Sequence, residues 1–171
     1  GLPGRCRISL YQFDHQWQVV FEAKSSGDIK PEDCRLVPRG NTALYDSVVK
    51  SLAAMEARIL NEPEDQRPKF VFVVVITDGK NNASKESSRE DAKKASERVV
   101  DKFGWKFNYL AASPDAFEEG GAMTAGMRGA PKVRGFIPTS AGTRGAYQTY
   151  GKAMSDVRSG KADDVDLKKK S

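Results

Sequence analysis

The chain has 171 residues and a formal net charge of +5, and 39% of its residues are apolar while 30% are charged. This length fits one domain with its own hydrophobic core. No apolar run approaches the length of a membrane span and no signal-peptide pattern opens the sequence, so we expect no membrane partner. Three lysines at 168–170 supply much of the net charge, and the other cations alternate with acids.

The cysteines and the histidine exclude several kinds of site. Cys6 and Cys34 form neither a C-x-x-C pair nor a disulfide framework, which favours two reduced thiols in a cytoplasmic protein. The single histidine, His15, lies in an apparent hairpin turn, so a multi-histidine metal site is excluded and a Ser-His-Asp triad is poorly supported. The G-x-S-x-G elbow is also absent. We therefore expect that the protein is not an enzyme.

Taken in chain order, the sequence alternates between strand and helix patterns. The first part predicts an antiparallel hairpin over 5–21, a polar loop over 24–39, a helix that opens at 40–42 and ends before 61–68, and a core strand over 70–77. The second part predicts a polar helix that Ser84 caps and that runs to about Phe103, a strand over 105–112, a helix that starts at 113–115, an edge strand over 133–137 and a last helix over 139–159.

This alternation predicts an α/β fold. We expect a Rossmann-like, doubly wound and mainly parallel sheet with the antiparallel hairpin at its edge. Residues 1–159 are predicted to form a single domain, and residues 160–171 a charged, disordered tail.

The most apolar stretch lies in the middle of the chain. Six consecutive apolar residues at 71–76 are followed by Thr77, Asp78 and Gly79. Such a run is typical of a strand buried on both faces in the middle of a parallel sheet. Open α/β sheets bind ligands outside the carboxyl ends of their strands, which makes Asp78 a candidate site residue beside a glycine that permits a sharp turn. Taken alone, Asp78 could equally start a turn or cap the next helix.

Two stretches together resemble metal-site motifs of the von Willebrand factor A (VWA) domain family, which includes the integrin I domains. They are GNTALYD at 40–46 and ITDG at 76–79. The preceding hairpin, the order of strands and helices, and the segment YLAASPDAF at 109–117 are similar to those of stand-alone bacterial and phage VWA proteins. The resemblance covers nearly the whole chain up to about residue 159, and it implies a VWA-type sheet.

The resemblance also implies a metal-ion-dependent adhesion site that holds Mg²⁺ at the carboxyl edge of the sheet. The residues that match its metal ligands are Thr42 and Asp78. The other motif residues would surround the site and hold its loops: Gly40, Asn41, Asp46 and Gly79. Mg²⁺ takes octahedral oxygen ligands and keeps waters that an acidic residue of a protein partner can displace. From the residues alone, Thr42 and Asn41 also suit a helix N-cap.

One motif of the family is absent. Asp-x-Ser-x-Ser, which supplies most of the metal ligands in the family and follows its first strand, occurs nowhere in the sequence. The resemblance implies that the chain begins after the amino-terminal strand and helix of the family. That strand would lie between 5–13 and 70–77, so its absence would expose two apolar strand edges. We expect another polypeptide, or an upstream part of the same gene product, to complement the sheet and the Mg²⁺ site; direct pairing of 70–77 with 5–13 would contradict this hypothesis.

Two other functions stay open. Without complementation, the chain would be a metal-free structural or assembly subunit, and the resemblance suggests a bacterial cytoplasm or a phage virion as its setting. The weaker alternative is a nucleic-acid-binding domain. It rests on cations along the polar helix and its approach: Lys80, Lys85, Arg89, Lys93, Lys94 and Arg98. Acidic residues between them favour a salt-bridged helix surface instead.

Overall fold

A computed structural model describes residues 5–35, 40–129 and 132–166 of the protein. Within these ranges the strands are β1 (Arg7–Phe13), β2 (Trp17–Ser25), β3 (Phe72–Thr77), β4 (Lys106–Ala111) and β5 (Val133–Gly135). The α-helices are α1 (Leu44–Asn61), α2 (Arg89–Phe103), α3 (Pro114–Thr124) and α4 (Ser140–Arg158). The predicted α/β class is confirmed. None of the described helices combines the length and the apolar character that crossing a membrane requires.

The hairpin of β1 and β2 forms because two strands rich in apolar residues flank a tight turn. The turn is closed by Asp14, whose Oδ1 accepts a hydrogen bond from the amide of Gln16 at 2.7 Å. The indole Nε1 of Trp17 donates to Ser51 Oγ on α1 at 2.8 Å, which fastens the hairpin to that helix. The predicted hairpin is confirmed, and its second strand continues to Ser25.

The other three strands form a parallel sheet in the order β3, β4, β5, so β4 is its central strand. Phe107 and Tyr109 of β4 are both 0% exposed. In contrast, β3 lies at the edge, and Val75 is its only buried residue. The prediction that the apolar run at 71–76 lies in the middle of the sheet is therefore wrong for the described residues, where β4 takes that position. The predicted packing on both faces is found, because alternate residues of β3 contact the two cores.

Helices cover both faces of the parallel sheet. On one face, α1, α2 and α3 pack with Val75, Phe107 and Tyr109 in the larger core. On the other face, α4 places Tyr150 in a second core with Leu110, and the alternate residues of β3 pack against it. Because the helices are divided between the two faces, the sheet has the doubly wound, Rossmann-like arrangement that the sequence predicts.

The hairpin and the parallel sheet are separate sheets. No strand pairing joins β1 to β3 in the described part of the chain. β1 pairs only with β2, and β3 pairs only with β4, so each has one edge without a strand partner among the described residues. The direct pairing that would contradict the complementation hypothesis is thus not found in these ranges.

Capping residues fix two of the helix starts. Ser113 precedes the first-turn proline of α3, and its Oγ accepts from the amide of Ala116 at 3.1 Å, as the sequence predicts. The prediction that Ser84 caps the polar helix is wrong. That helix, α2, has Ser88 as its N-cap, with Oγ accepting from the amide of Asp91 at 3.2 Å. The residues from Ser84 to Ser88 therefore belong to the loop between β3 and α2 and not to the helix.

The carboxyl-terminal tail also differs from its prediction over the part that the structure describes. Ala162 and Val165 pack in the second core, and Val165 is 0% exposed. Lys132 Nζ pairs with the carboxylate of Asp164, and the lysine side chain is only 4% exposed. Because of these contacts, the prediction of disorder is wrong for this part, while residues 167–171 lie outside the described residues.

Candidate functional site

The candidate site lies at the carboxyl end of β3, where Thr42 approaches Asp78 and Gly79. A Cβ placed on Gly79 would lie 3.6 Å from Thr42 Oγ1, so this hydroxyl lies beside the backbone that follows Asp78. Asp78 is exposed, and neither a hydrogen bond nor an ion pair is found for its carboxylate within the described ranges. The fold therefore brings the hydroxyl of Thr42, one predicted metal ligand, next to the residue that follows Asp78, the other.

The amino terminus of α1 is capped by residues distant in sequence. Ala43 is the N-cap residue and offers no side-chain bond, so neither Thr42 nor Asn41 acts as the cap. The amide of Leu44 donates to Asn81 Oδ1 at 3.0 Å. Ser84 Oγ accepts from the next two amides of the helix at 3.0 and 3.2 Å. The loop after β3 thus supplies the acceptors that the first turn of α1 requires.

Thr42 is held through its backbone by the same loop. Its amide donates to Asn82 Oδ1 at 2.6 Å. Its carbonyl accepts from the amides of Asn82 and Ala83 at 3.0 and 3.1 Å. These bonds leave the hydroxyl of Thr42 without a protein partner in the described residues, next to Gly79.

Asp46 fastens the other end of this loop. Its side chain is buried in the first turn of α1, and its carboxylate accepts hydrogen bonds from three successive amides, those of Lys85 at 2.8 Å, Glu86 at 3.1 Å and Ser87 at 2.7 Å. Burial of the carboxyl opposes its ionisation, but the amides together outweigh burial and hold the pKa of Asp46 below its ordinary value. The ionised form is thus bound into the loop that follows Asp78.

The remaining motif residues take different positions. Gly40 has a φ of +108°, a conformation that favours glycine, just before the chain enters the site. Asn41 is exposed and has no bond within the described chain. The amide of Gly79 donates to Thr77 Oγ1 at 3.3 Å, which closes the turn after β3.

The oxygen groups at this edge match Mg²⁺ in kind and not in number. A hydroxyl and a carboxylate are both ligands that Mg²⁺ accepts, but octahedral coordination needs six oxygens. Within the described ranges, no group of three or more His, Cys, Asp or Glu side chains is arranged to hold a metal ion. Thr42 and Asp78 therefore form at most part of a metal site.

A buried polar cluster beside the site was not predicted from the sequence. Glu119, on α3, is 5% exposed, and its Oε1 accepts from the hydroxyl of Tyr45 at 2.7 Å and from Nε of Arg89 at 2.8 Å. Burial, followed by the bond to Glu119, raises the pKa of Tyr45. The cluster forms one wall of a polar pocket of about 250 Å³ that Lys80 and Asp115 also line. Since no short motif joins residues so far apart, nothing in the sequence marked this cluster.

The cations considered for nucleic-acid binding mostly contact acids. The ion pairs are Lys80 with Asp115, Arg89 with Glu119, Lys93 with Glu97, Lys94 with Glu90, and Arg98 with Glu56. Paired surface charges of this kind are usual on a solvated helix. They offer phosphates a weaker electrostatic attraction than an unpaired basic stripe would.

No family model matches the chain, and comparisons with the curated proteins and with the solved structures give no match either. The VWA resemblance therefore depends on the motif stretches at 40–46 and 76–79 and on the order of the elements.

Proposed function

We propose that this chain is a protein–protein interaction module of VWA type, which captures an acidic residue of a partner protein at the carboxyl edge of its parallel sheet. The observation that carries the proposal is the position of the Thr42 hydroxyl beside Gly79, because Gly79 directly follows Asp78 in the chain. Asp78 is exposed at this point, so a partner can reach it.

The proposal assigns Mg²⁺ only to a completed site. Thr42 and Asp78 would supply two oxygen ligands, and a segment with the Asp-x-Ser-x-Ser pattern would supply the others. When bound, Mg²⁺ offers a coordination position at which a partner's carboxylate replaces water. One edge of β3 has no strand partner among the described residues, which supports a site shared between two segments. A parallel strand added at this edge would end on the same side of the sheet as Asp78.

A metal-free structural or assembly subunit is the second candidate. It is favoured by the small number of oxygen groups at the site, because in the described residues only Thr42 and Asp78 match the family's metal ligands. In this case the edge of β3 that has no strand partner in the described part of the chain would itself be the interaction surface, through backbone hydrogen bonds with a partner strand.

Native mass spectrometry of the protein purified from its own source in Mg²⁺, followed by denaturing mass analysis, separates the two candidates. The proposal predicts a bound Mg²⁺ together with a polypeptide segment that carries Asp-x-Ser-x-Ser, either covalently continuous or co-purifying. Asp78→Asn should abolish metal retention, whereas Asp115→Asn, at an exposed aspartate lining the neighbouring polar pocket, should preserve it. A species without such a segment and without metal would contradict the metal-dependent function and favour the assembly subunit.

A further inference from the structure

We infer that Asn82, supported by Asn81 and Ser84, is a positioning residue of the proposed site, and that it holds Thr42 against Gly79 before any metal or partner binds. The consequence for partner capture rests on the proposed function. The contact between Thr42 and Gly79 does not, and it can be measured on the metal-free chain.

Asn82 binds both backbone groups of Thr42, its amide and its carbonyl. The Asn82 side chain accepts from the Thr42 amide at 2.6 Å, and the Asn82 amide donates to the Thr42 carbonyl at 3.0 Å. With both backbone groups bound, neither peptide plane of Thr42 can rotate without breaking a hydrogen bond. The backbone position of Thr42, from which its side chain extends toward Gly79, is therefore set by Asn82.

The connection between Asp78 and the asparagines of this loop is short. Only Gly79 and Lys80 separate Asp78 from Asn81, whose Oδ1 accepts from the amide of Leu44 at 3.0 Å and from Ser84 Oγ at 2.5 Å. Leu44 is 0% exposed, so its amide has no access to water and depends on this acceptor. The buried start of α1 thus fixes the loop that leaves Asp78, without help from a metal.

The consequence is a half-site that is ordered in advance. A ligand that binds to an ordered loop does not have to pay the entropy of ordering it. Weakening the contact of Asn82 should therefore lower affinity for Mg²⁺ and for a partner, although Asn82 touches neither. This assigns a role to the polar run NNAS at 81–84, which lies outside the motif stretches.

The test uses the full chain without divalent metal and compares Asn82→Ala, Asn82→Asp and Lys85→Ala by NMR. The readouts are the nuclear Overhauser effect between the side-chain protons of Thr42 and the Gly79 α-protons, and the exchange rate of the Thr42 amide. In Asn82→Ala the Overhauser effect should disappear and the exchange rate should rise about two- to tenfold, the range expected for one hydrogen bond. Asn82→Asp keeps the Oδ1 acceptor and should restore both. Lys85→Ala removes an exposed side chain of the same loop and should change neither.

An unchanged Overhauser effect in Asn82→Ala would overturn the inference, and so would an equal loss in Lys85→Ala. Exchange at the buried Val99 amide of α2 should stay constant, which separates a local loss of position from general destabilisation. If Asn82→Ala does not fold, Ser84→Ala takes its place, since Ser84 accepts from two amides of α1. Failure of Mg²⁺ binding with the contact intact would contradict the proposed function and leave the positioning role standing.

Discussion

Two neighbouring strands of the parallel sheet have compositions that do not match their positions. β3, with the sequence FVVVIT, lies at the edge and is only partly buried over most of its length. β4, with the sequence KFNYLA, includes a lysine and an asparagine and is the buried central strand. A continuous β-branched run is typical of a strand with neighbours on both sides. The contrast indicates that the composition of β3 suits a second neighbouring strand, which the described residues do not supply.

A buried polar side chain in β4 makes the contrast between the two strands larger. Asn108 is 0% exposed, and neither its Oδ1 nor its Nδ2 has a hydrogen-bond partner in the described structure. An unpaired buried amide is unfavourable, so composition alone would not place this strand in the centre. Its two strand partners put it there, since β3 and β5 pair with its opposite edges.

The largest expected effect comes from a matched pair of phenylalanines in these strands. Phe107→Ala in β4 should lower the free energy of unfolding by about 3–5 kcal/mol, because it empties a fully buried site. Phe72→Ala in β3 should cost less than half as much in the chain alone, because Phe72 is only partly buried. Urea unfolding of both variants measures the difference. Equal losses would mean that β3 is as well enclosed as β4 and would remove the contrast.

The next effect concerns the loop that leaves β3. Asp46→Ala removes a carboxylate that accepts from three amides, and should lower the free energy of unfolding by about 2–4 kcal/mol at pH 7. The control is Asp115→Ala, which removes an exposed carboxylate whose only partner within the described residues is Lys80 at 3.5 Å, and should change stability little. A loss no larger than that of the control would show that the Asp46 bonds do not hold the loop.

The same residue gives a dependence on pH. Because the folded-state pKa of Asp46 lies below its ordinary value of 3.8, the stabilisation is fully present above that value and is lost as the pH falls through the lower folded-state pKa. The stability difference between the protein and Asp46→Ala should therefore be constant from about pH 5 to 7 and shrink below about pH 4. Urea unfolding across this range measures it, and a difference that grows on acidification would contradict the assigned bonds.

The smallest effects compare the two capping serines that follow these strands, Ser84 after β3 and Ser113 after β4. Ser113→Ala removes the local cap of α3 and should cost about 1 kcal/mol. Ser84→Ala removes an acceptor for two amides of α1 and should cost at least as much, although Ser84 lies far from that helix in sequence. Thermal unfolding of both variants checks the order, and a neutral Ser84→Ala would mean that water replaces the distant cap.

Patterns that are local in sequence were predictable, and contacts between distant segments were not. The cap at Ser113 and the hairpin turn at Asp14 depend on neighbouring residues, so the sequence indicates them directly. The edge position of β3 depends on which strands are present beside it, a property that its own residues do not carry. Likewise, Ser84 has the chemistry of a cap, and only the folded chain determines that it caps α1 and not α2.

The site also contains residues that short motifs predict and residues that only the folded chain identifies. The motif stretches identified Thr42 and Asp78, and the fold brings them together through Gly79. Glu119 and Asn82 could not be found in this way, because their partners lie 30 or more residues away and no spacing rule connects them. A polar run between a core strand and a capped helix, such as NNAS at 81–84, is the signal that could have suggested the second of these.

The backbone of β3 offers the most direct test of its free edge. The carbonyls of Val71 and Thr77 accept from amides at the two ends of β4, at 2.9 and 3.0 Å. Because alternate residues of a strand direct their backbone groups to opposite sides, the odd-numbered residues of β3 bond to β4. The amides that face the free edge are then those of Phe72, Val74 and Ile76.

The decisive measurement is amide hydrogen exchange at Val73 and Val74, in the chain alone and in the protein purified from its own source. In the chain alone, exchange should be rapid at Val74 and slow at Val73. In the protein from its source, a strand added to β3 should make both amides slow. Rapid exchange at Val74 in the source protein would mean that no strand occupies this edge, and it would contradict the claim that β3 and the Thr42–Asp78 site are completed by another segment.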